Sequence, residues 1–454
     1  MAGVSFFDPE LFFYKRFLLR PIIGRLEYLG RHLCQTWGNF PGCFGSSDFG
    51  KNALMLGHDA LGFADLDVRR EIAGIEPVLV MLHVRFEKEQ RIYRMTTRRE
   101  FIGASAAILG ASAAGATSVI EPAADSLDIL FLGGTGFLGP HQINYALARG
   151  HNVSMFNRGT KAGLFGGNVE EIIGNRDSNI DDGLKALEGK RTWDVVVDNS
   201  GYVPRHVRDS AELFKGRCKR YIYTSTIAVY DFEKQSSVDN MGPMYAAPDP
   251  AVEEVTGETY GPLKAECDRI VQEIFGDAAT IVRPTYVVGP GDHTDRFTYW
   301  VERFQRGGDV VCPPNPGFGA SWIDVRDLCH WIVRLGENDT PGVFNGVAPG
   351  QPVSREQFMW GLRASSTAVA DMHWPSRELL EELQFSTPMF FNAPFSIHVD
   401  ASAAMAAGLT FRSFADTVRD THEWWMSRSD ERRANPRRWP TAEEEAAVLA
   451  RMAG

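Results

Sequence analysis

A tyrosine and a lysine, Tyr260 and Lys264, stand four positions apart and would share one face of a helix. A free tyrosine has a pKa of about 10 and is a poor base at neutral pH. A neighbouring ammonium group favours the phenolate, so we expect Lys264 to lower the pKa of Tyr260. Pro262 lies between them and is tolerated only where a helix begins. The pair therefore predicts an acid–base site, at the first turn of a helix, that accepts a proton from a substrate hydroxyl.

Hydroxyl side chains precede this pair, within a segment, 219–230, that predicts a strand and its exit. Thr224, Ser225 and Thr226 stand there in a row. A hydroxyl at the end of a strand can hold the oxygen of a substrate in place. Tyr-x-x-x-Lys by itself also describes an ordinary solvated helix pair, so the catalytic interpretation depends on the elements around it.

A glycine-rich loop lies earlier in the chain, between a predicted strand and a predicted helix. The apolar run 129–132 predicts a buried parallel strand, and the helix after the loop ends near Gly150. In such a unit the glycines make a tight turn, let the backbone approach a pyrophosphate and let the helix pack on the strand. The pyrophosphate would lie at the helix N-terminus, where unpaired N–H groups attract anions. The segment predicts dinucleotide binding, against the alternative of a merely structural turn. The loop residues expected at the cofactor are Gly133, Thr135, Gly136, Phe137, Leu138 and Gly139.

The end of the second predicted strand, 151–156, favours one form of the cofactor. An acidic residue there would bond the ribose 2′-hydroxyl of NAD, but the chain reads Asn157-Arg158-Gly159. An arginine can instead pair with a 2′-phosphate, so Asn157 and Arg158 predict NADP rather than NAD. The alternative is that Arg158 is a surface residue and that NAD binds anyway.

The same alternation of strands and helices continues along the chain. Segments 171–177 and 193–201 predict a third and a fourth strand with their exits, and 343–346 a later one. The fold class predicted is α/β, with a Rossmann-type doubly wound parallel sheet. Ligands lie at the carboxyl edge of such sheets, where each of these segments ends.

In this order, the motifs resemble those of the extended short-chain dehydrogenases/reductases of the NAD(P)-dependent epimerase/dehydratase family. The resemblance runs from Leu127 to the region of Trp425. Four segments carry it: Gly133-Gly-Thr-Gly-Phe-Leu-Gly139, Tyr260-Gly-Pro-Leu-Lys264, Arg283-Pro-Thr-Tyr-Val-Val-Gly-Pro-Gly291 and Trp322-Ile-Asp-Val-Arg-Asp327.

The resemblance implies a role for each site residue. Tyr260 would be the acid/base, Lys264 would bind the nicotinamide ribose, and Thr226, or else Ser225, would orient the substrate. Both Tyr260 and Lys264 would then also touch the cofactor. Further cofactor contacts are implied for Asp177, Asn199 and Pro284.

The resemblance also implies a division of the chain. Residues 127–290 would be mainly the NAD(P)-binding domain, and 291–430 mainly a smaller substrate-binding α/β region interleaved with the sheet. Residues 431–454 are charged and rich in alanine, and they predict a helical tail on the surface. Arg296 is either a phosphate clamp or a solvated charge. Many relatives pair through two helices, which leaves a homodimer open, but the sequence does not determine the oligomeric state.

The predicted activity is hydride transfer to or from a hydroxyl-bearing carbon of a small sugar-like or polyol substrate. Two rivals use the same fold: a protein that senses the cofactor or binds RNA, and a simple NADPH-dependent reductase. Asn157-Arg158-Gly159 also resembles a branch with chloroplast stem-loop-binding and isoflavone-reductase-like proteins. The Tyr260–Lys264 pair weighs against a sensor, and the net charge of −11 weighs against nucleic acid.

Residues 95–126 have the layout of a twin-arginine export signal and a spacer. Arg98-Arg99 and Phe101 precede a weakly apolar stretch that ends in Ala-x-Ala. Because a signal must be N-terminal, the preferred interpretation starts translation at Met95 and makes 1–94 a non-native, poorly ordered extension. The protein would then be periplasmic or otherwise exported. The alternative is an alanine-rich internal helix in a cytoplasmic protein.

The composition excludes several classes of protein. With 44% hydrophobic and 23% charged residues among 454, the chain is an ordinary globular protein. No strongly apolar stretch of membrane-spanning length occurs. The six cysteines form no Cys-x-x-Cys pair and the eleven histidines no metal-ligand spacing, so we expect buried thiols and no metal.

Overall fold

The computed structural model describes residues 120–390 and 396–454 of the chain. The predicted upstream extension and almost all of the predicted export signal lie outside these residues, and both stay predictions. Within the described part, no helix has the length and apolar character needed to cross a membrane. In the same part, no group of three metal-ligating side chains could hold a metal ion.

Strands and helices alternate through the described residues. The strands are β1 (Asp128–Leu132), β2 (Asn152–Asn157), β3 (Glu170–Ile173), β4 (Trp193–Asp198), β5 (Cys218–Thr224), β6 (Ser237–Val238), β7 (Ala279–Pro284), β8 (Val287–Val288), β9 (Gly308–Val311), β10 (Gly319–Asp324), β11 (Gly342–Gly346), β12 (Ala348–Ser354), β13 (Ala370–His373) and β14 (His398–Val399). The helices are α1 (Leu138–Ala148), α2 (Pro204–Phe214), α3 (Tyr260–Phe275), α4 (Arg296–Arg306), α5 (Val325–Glu337), α6 (Arg355–Ala364), α7 (Arg377–Glu382), α8 (Ser402–Ala406), α9 (Phe414–Met426), α10 (Asp430–Ala434) and α11 (Ala442–Ala453).

Seven strands form one parallel sheet in the order β3-β2-β1-β4-β5-β7-β11. The predicted Rossmann-type α/β class is thus confirmed. The strand order reverses beside β1, and the crevice at that reversal is where such sheets bind ligands. The last strand, β11, comes from the range 291–430, so that range is interleaved with the sheet.

Both faces of the sheet are covered, which explains its continuous apolar strands. In β1, Ile129 and Phe131 belong to the core that includes residues of α1 and α5. Leu130 and Leu132 point the other way, into the core that includes residues of α2 and α3. Successive strand residues face opposite sides of a sheet, so one apolar run serves both cores.

The smaller region combines short sheets with aromatic packing. Strands β8, β10 and β12 form one small sheet, and β9 pairs with β13. Rings from α4, α6, α9 and β10 meet edge to face or tilted in one cluster. On α9, Val418, Thr421 and Trp425 recur at helical spacing, and all three are buried. The smaller region thus combines helices with short strands, and its role in substrate binding stays a prediction.

The C-terminal tail contains a largely exposed helix, α11, as predicted, but one side of this helix is packed against the rest of the protein. Glu445 on α11 is buried and accepts hydrogen bonds from Arg303 Nε, at 2.9 and 2.8 Å, and from the Val311 amide, at 3.1 Å. Val448 is also buried. The tail helix thus packs against α4 and β9, because a carboxylate in its first turn is the partner of a buried arginine.

Candidate active site

The hydroxyl and the phenol predicted to act together meet at the carboxyl edge of the sheet. Thr226 lies just beyond the end of β5, and Tyr260 is the first residue of α3. The Thr226 hydroxyl contacts the phenol of Tyr260, and this hydrogen bond lowers the pKa of Tyr260. The same oxygen accepts the Ala228 amide at 3.1 Å, which fixes its position. Pro262 is the third residue of the helix, where it interrupts no helical hydrogen bond.

Ser225, the alternative to Thr226, is placed elsewhere. Its backbone amide continues the ladder to the Val282 carbonyl at 2.7 Å, and its buried side chain faces the Asp268 carboxylate. Asp268 in turn pairs with Arg283 at 2.8 Å. Because neighbouring residues of an extended segment point to opposite sides, only one of the two hydroxyls can reach Tyr260.

Lys264 lies one turn along α3 and is almost completely buried. Its ammonium group donates to the Gly201 carbonyl at 2.7 Å and to the Thr224 carbonyl at 2.9 Å, and also to the Tyr223 hydroxyl. Burial lowers the pKa of Lys264. The lysine therefore ties α3 to the loop after β4 and to the end of β5, and its charge is directed at that loop.

The pKa of Tyr260 differs from the expectation. Burial raises it to about 12, although the Thr226 hydrogen bond and the charge of Arg296 act in the opposite direction. The expected lowering by Lys264 is wrong for this structure. The ammonium group is held by three other oxygens, and loss of water around the phenol outweighs the favourable contacts. Tyr260 is thus protonated at neutral pH and can donate to a substrate oxygen.

Arg296 is the cation whose field reaches Tyr260. It begins α4 and is half-buried, its guanidinium lies 4.9 Å from the ring centre of Tyr286, and its Nε donates to Thr294 at 3.1 Å. The sequence left Arg296 open between a clamp and a solvated charge. The structure places Arg296 within electrostatic range of Tyr260, and its charge lowers the pKa of the phenol.

The glycine loop combines a tight turn, a close approach of the helix and a segment of open backbone. Gly133 has a φ of +88°, which only glycine adopts readily, and it makes the turn. A Cβ on Gly139 would lie 2.2 Å from the Gly134 carbonyl oxygen, so the helix packs directly on the loop. A Cβ on Gly136 would meet nothing within 4 Å, so this backbone is open to a ligand.

Helix α1 starts behind this loop without a side-chain cap. Phe137 precedes the helix, Leu138 begins it, and the first turn carries no acidic residue. Its N–H groups are therefore left for an anion. The open backbone at Gly136 and this uncapped helix fit the pyrophosphate of a dinucleotide. Thr135 completes the loop, and its carbonyl accepts Lys161 at 3.1 Å.

The end of β2 carries the residues predicted to distinguish the cofactors. Asn157 accepts the Gly159 amide at 2.5 Å, while its buried Nδ2 atom has no hydrogen-bond partner among the residues that the structure describes. Arg158 is exposed and forms no ion pair with any residue in 120–390 or 396–454. The amide of Asn157 and the guanidinium of Arg158 could therefore donate hydrogen bonds to a cofactor ribose and to a group on its 2′-oxygen.

The remaining predicted cofactor residues also lie at strand ends. Asp177 follows β3 and accepts Arg205 at 2.9 Å, which lowers the pKa of Asp177 to about 2. Asn199 follows β4 and donates to Gln142 at 2.6 Å. Pro284 is the last residue of β7 and is buried. Asn199 thus links the loop after β4 to α1, whereas Asp177 is held by an ion pair.

A buried ion pair beneath the site was missed from the sequence. Arg176 donates to both carboxylate oxygens of Asp198, at 2.7 and 2.5 Å. Burial alone would raise the pKa of Asp198, but Arg176 outweighs it and the net shift is downward. Because Asp198 ends an apolar strand and is fully buried, it needs a partner, and this was the available signal. The pair supports the loop that carries Gly201, one of the acceptors of Lys264.

The fold and this site define the class: a doubly wound nucleotide-binding enzyme with a Thr–Tyr–Lys constellation. Residues 129–345 match the model of the NAD dependent epimerase/dehydratase family. This segment, which runs from β1 to β11, is thus similar to that family.

Known proteins resemble this chain at low identity. Among curated proteins, the chloroplast stem-loop binding protein of 41 kDa b from Arabidopsis thaliana is 25% identical over 228 residues, 46% of this chain. The chain spans only 55% of that relative's length. The enzyme WbmH of Bordetella bronchiseptica, solved with NAD+, is 16% identical and has a TM-score of 0.51, covering 67% of this chain and 99% of its own. WbmG from the same organism, solved with NAD and UDP, is 17% identical, with a TM-score of 0.50 and coverages of 67% and 95%. These two structures support the fold.

Proposed function

We propose that this enzyme transfers hydride to or from a hydroxyl-bearing carbon of a sugar-like or polyol substrate. The observation that carries the proposal is the contact of Thr226 with Tyr260 at the carboxyl edge of the sheet, near an uncapped helix that fits a dinucleotide. The nicotinamide cofactor would supply the hydride acceptor or donor. The loop 133–139, Asn199 and Lys264 are the groups proposed to hold it.

The roles of the chain's own residues follow from their contacts. Tyr260 donates a proton to the substrate oxygen, or accepts one from it in the reverse direction. Thr226 holds the same oxygen, because its hydroxyl already contacts the phenol. Arg296 stabilises negative charge on the phenol, since its field favours the phenolate. Lys264 positions the helix start through the carbonyls of Gly201 and Thr224.

The substitution Tyr260→Phe tests the proposal. Loss of the phenolic proton should reduce turnover by about 10²- to 10⁴-fold while the affinity for the reduced cofactor stays within about twofold. Turnover is followed as cofactor absorbance at 340 nm with a panel of nucleotide-diphosphate sugars and polyols. Tyr202→Phe is the matched control, because Tyr202 is half-exposed and its ring centre lies 6.4 Å from that of Tyr260. Equal turnover in Tyr260→Phe and the control would overturn the proposal.

A preference for NADP is the second part of the proposal. Its support is the absence of a carboxylate after β2 and the unpaired, exposed Arg158 at the same point. Arg158→Ala should weaken NADPH binding about tenfold and leave NADH binding unchanged, as measured by cofactor fluorescence. Lys190→Ala, also exposed, is the control. A variant that loses affinity for both cofactors equally would show that Arg158 reads no 2′-phosphate.

Export is proposed from the residues Arg98-Arg99 and the weakly apolar stretch that follows them. Fusing residues 95–126 to a reporter that functions only outside the cytoplasm should give activity, and Arg98→Lys/Arg99→Lys should abolish it. Equal reporter activity in both fusions would refute a twin-arginine route.

A binding function without catalysis is the remaining candidate, favoured by the curated relative named as a stem-loop binding protein. The net charge of −11 disfavours RNA, which requires cationic surface. The Tyr260→Phe variant also separates these two functions, because a binding protein would keep its function without the phenolic proton.

A further inference from the structure

A tyrosine that has no part in the proposed reaction, Tyr223, lies one residue before the end of β5. It is completely buried, and its hydroxyl donates to the Gly201 carbonyl at 2.6 Å. The same oxygen accepts the ammonium group of Lys264 and faces the thiol of Cys267. A phenolic hydroxyl has one proton to donate and two lone pairs that accept, so the protein itself uses all of this capacity. The buried hydroxyl therefore joins the loop after β4 to α3.

Lys264 depends on Tyr223 because its charge is buried. An ammonium group has three protons, and here they are directed at the Gly201 carbonyl, the Thr224 carbonyl and the Tyr223 hydroxyl. Two of these acceptors are backbone atoms. Among the described residues, Tyr223 is thus the one side chain that accepts a hydrogen bond from Lys264. Since a buried charge is costly without such acceptors, the hydroxyl should stabilise the charged form of the lysine.

The carboxylates near Lys264 are already paired with arginines. Apart from Tyr223, the titratable and charged side chains that face Lys264 are Cys267 and Asp268 on α3, Asp198 at the end of β4, Tyr202 in the loop after it, and Arg176 after β3. Asp198 pairs with Arg176 at 2.5 Å, and Asp268 pairs with Arg283 at 2.8 Å. Within the described residues, Lys264 itself forms no ion pair with a carboxylate. Its orientation is therefore set by neutral oxygens.

The hydroxyl of Tyr223 can be removed without removing its ring. The Lys264 nitrogen lies 4.1 Å from the ring centre, and a phenylalanine would keep that contact. Tyr221 offers a matched control, because it is also completely buried on β5. Its hydroxyl donates to Asp198 at 2.8 Å and makes no hydrogen bond with Lys264. The two tyrosines thus separate an effect on Lys264 from the general loss of a buried hydroxyl.

From these contacts we infer that Tyr223 is a positioning residue of the proposed site. Its hydroxyl orients the ammonium group of Lys264 towards the loop after β4, which also carries Asn199. The inference rests on the proposed function, because Lys264 and Asn199 are among the groups proposed to hold the cofactor.

The pKa of Lys264 can be measured in the full chain without cofactor, from the carbon-13 resonance of labelled lysine Cε. The resonance is assigned by its loss in Lys264→Met. Removal of one acceptor disfavours the charged form, so Tyr223→Phe should lower the pKa of Lys264 by about one unit or more relative to wild type. Tyr221→Phe should leave this pKa within about 0.3 unit of the wild-type value.

The affinity for the reduced cofactor, measured by fluorescence, gives a second readout. Lys264 loses its charge as the pH rises through its pKa, so the affinity should fall over that range. In Tyr223→Phe the fall should begin about one unit lower than in wild type. In Tyr221→Phe it should begin at the wild-type pH.

Two results would overturn the inference: an unchanged pKa of Lys264 in Tyr223→Phe, or an equal lowering in both tyrosine variants. If Tyr223→Phe does not fold, Tyr223→Phe/Lys264→Met decides. The inference requires this double variant to fold, because it leaves no buried ammonium group without its acceptor, and failure of the double variant would also overturn it. The titration of Lys264 needs no turnover, whereas Tyr260→Phe is measured by turnover. The inference and the proposed function can therefore fail separately.

Discussion

The strands of the parallel sheet and the C-terminal helices of this protein are held in place by different contacts, although each region has an apolar core. In the sheet, side chains such as Phe131 and Val196 are completely buried and every strand pairs in parallel with its neighbours. In the C-terminal region, arginines reach carboxylates far along the chain. Arg303 pairs with Glu445, 142 positions later, and Arg326 pairs with Asp420, 94 positions later.

The difference shows how each region depends on its sequence. An apolar strand tolerates similar residues, since burial is roughly proportional to the apolar area removed from water. A buried ion pair depends on both partners, because removal of one leaves a desolvated charge. Substitutions in the C-terminal region should therefore have the largest effects on stability where they break such a pair.

The largest expected effect is that of Glu445→Ala. Arg303 would remain buried without its carboxylate, and we expect the free energy of unfolding to fall by about 3–5 kcal/mol in urea titrations. Glu443→Ala, in the same turn of α11 but exposed, should change it by less than about 1 kcal/mol. If the two variants lose equal stability, the tail is not anchored by this pair and the comparison of the two regions breaks down.

Glu337 tests the same comparison in the sheet region, because it forms ion pairs there. It accepts Arg149 at 2.6 Å and His151 at 2.8 Å. Burial alone would raise the pKa of Glu337, but these hydrogen bonds outweigh it and lower the pKa to about 2. The unfolded value is about 4.3, so the carboxylate contributes stability, roughly 1–3 kcal/mol after screening by solvent, that is complete above the unfolded pKa.

That contribution should be lost as the pH falls from about 4.5 towards 2, through the folded pKa. Glu337→Gln removes the titrating group, so its stability should depend less on pH across this window than that of wild type. Urea unfolding at pH 7, 4.5 and 3 measures the difference. Parallel curves for the two proteins would mean that this pair adds no pH-dependent stability to the sheet.

Two glycines of one loop give a smaller and more selective effect. Gly139→Ala places a Cβ against the Gly134 backbone, and we expect about 1–3 kcal/mol of destabilisation. Gly136→Ala enters open space and should leave stability within about 1 kcal/mol, while cofactor affinity falls about tenfold. Thermal unfolding and cofactor fluorescence measure the two properties. Loss of stability in both variants would contradict the separation of packing from binding in this loop.

The local parts of the site could be predicted from the sequence. The glycine loop after β1 and the start of α3 at Tyr260 follow from apolar runs, glycine spacing and a proline tolerated only in a first turn. The choice between Thr226 and Ser225 stayed open, because it depends on which side of the exit from β5 faces α3. The Arg176–Asp198 pair was missed for a related reason: its members belong to two different strand ends.

The sequence by itself determined the order of strands and helices, the nucleotide-binding loop and the residue types available for acid–base chemistry, because these depend on contacts within a few positions. Only the tertiary structure decided the pKa of Tyr260, the partners of Lys264 and the anchoring of the tail through Glu445. These properties depend on how much water each group loses and on which distant charges lie beside it. Both are set when the elements pack together.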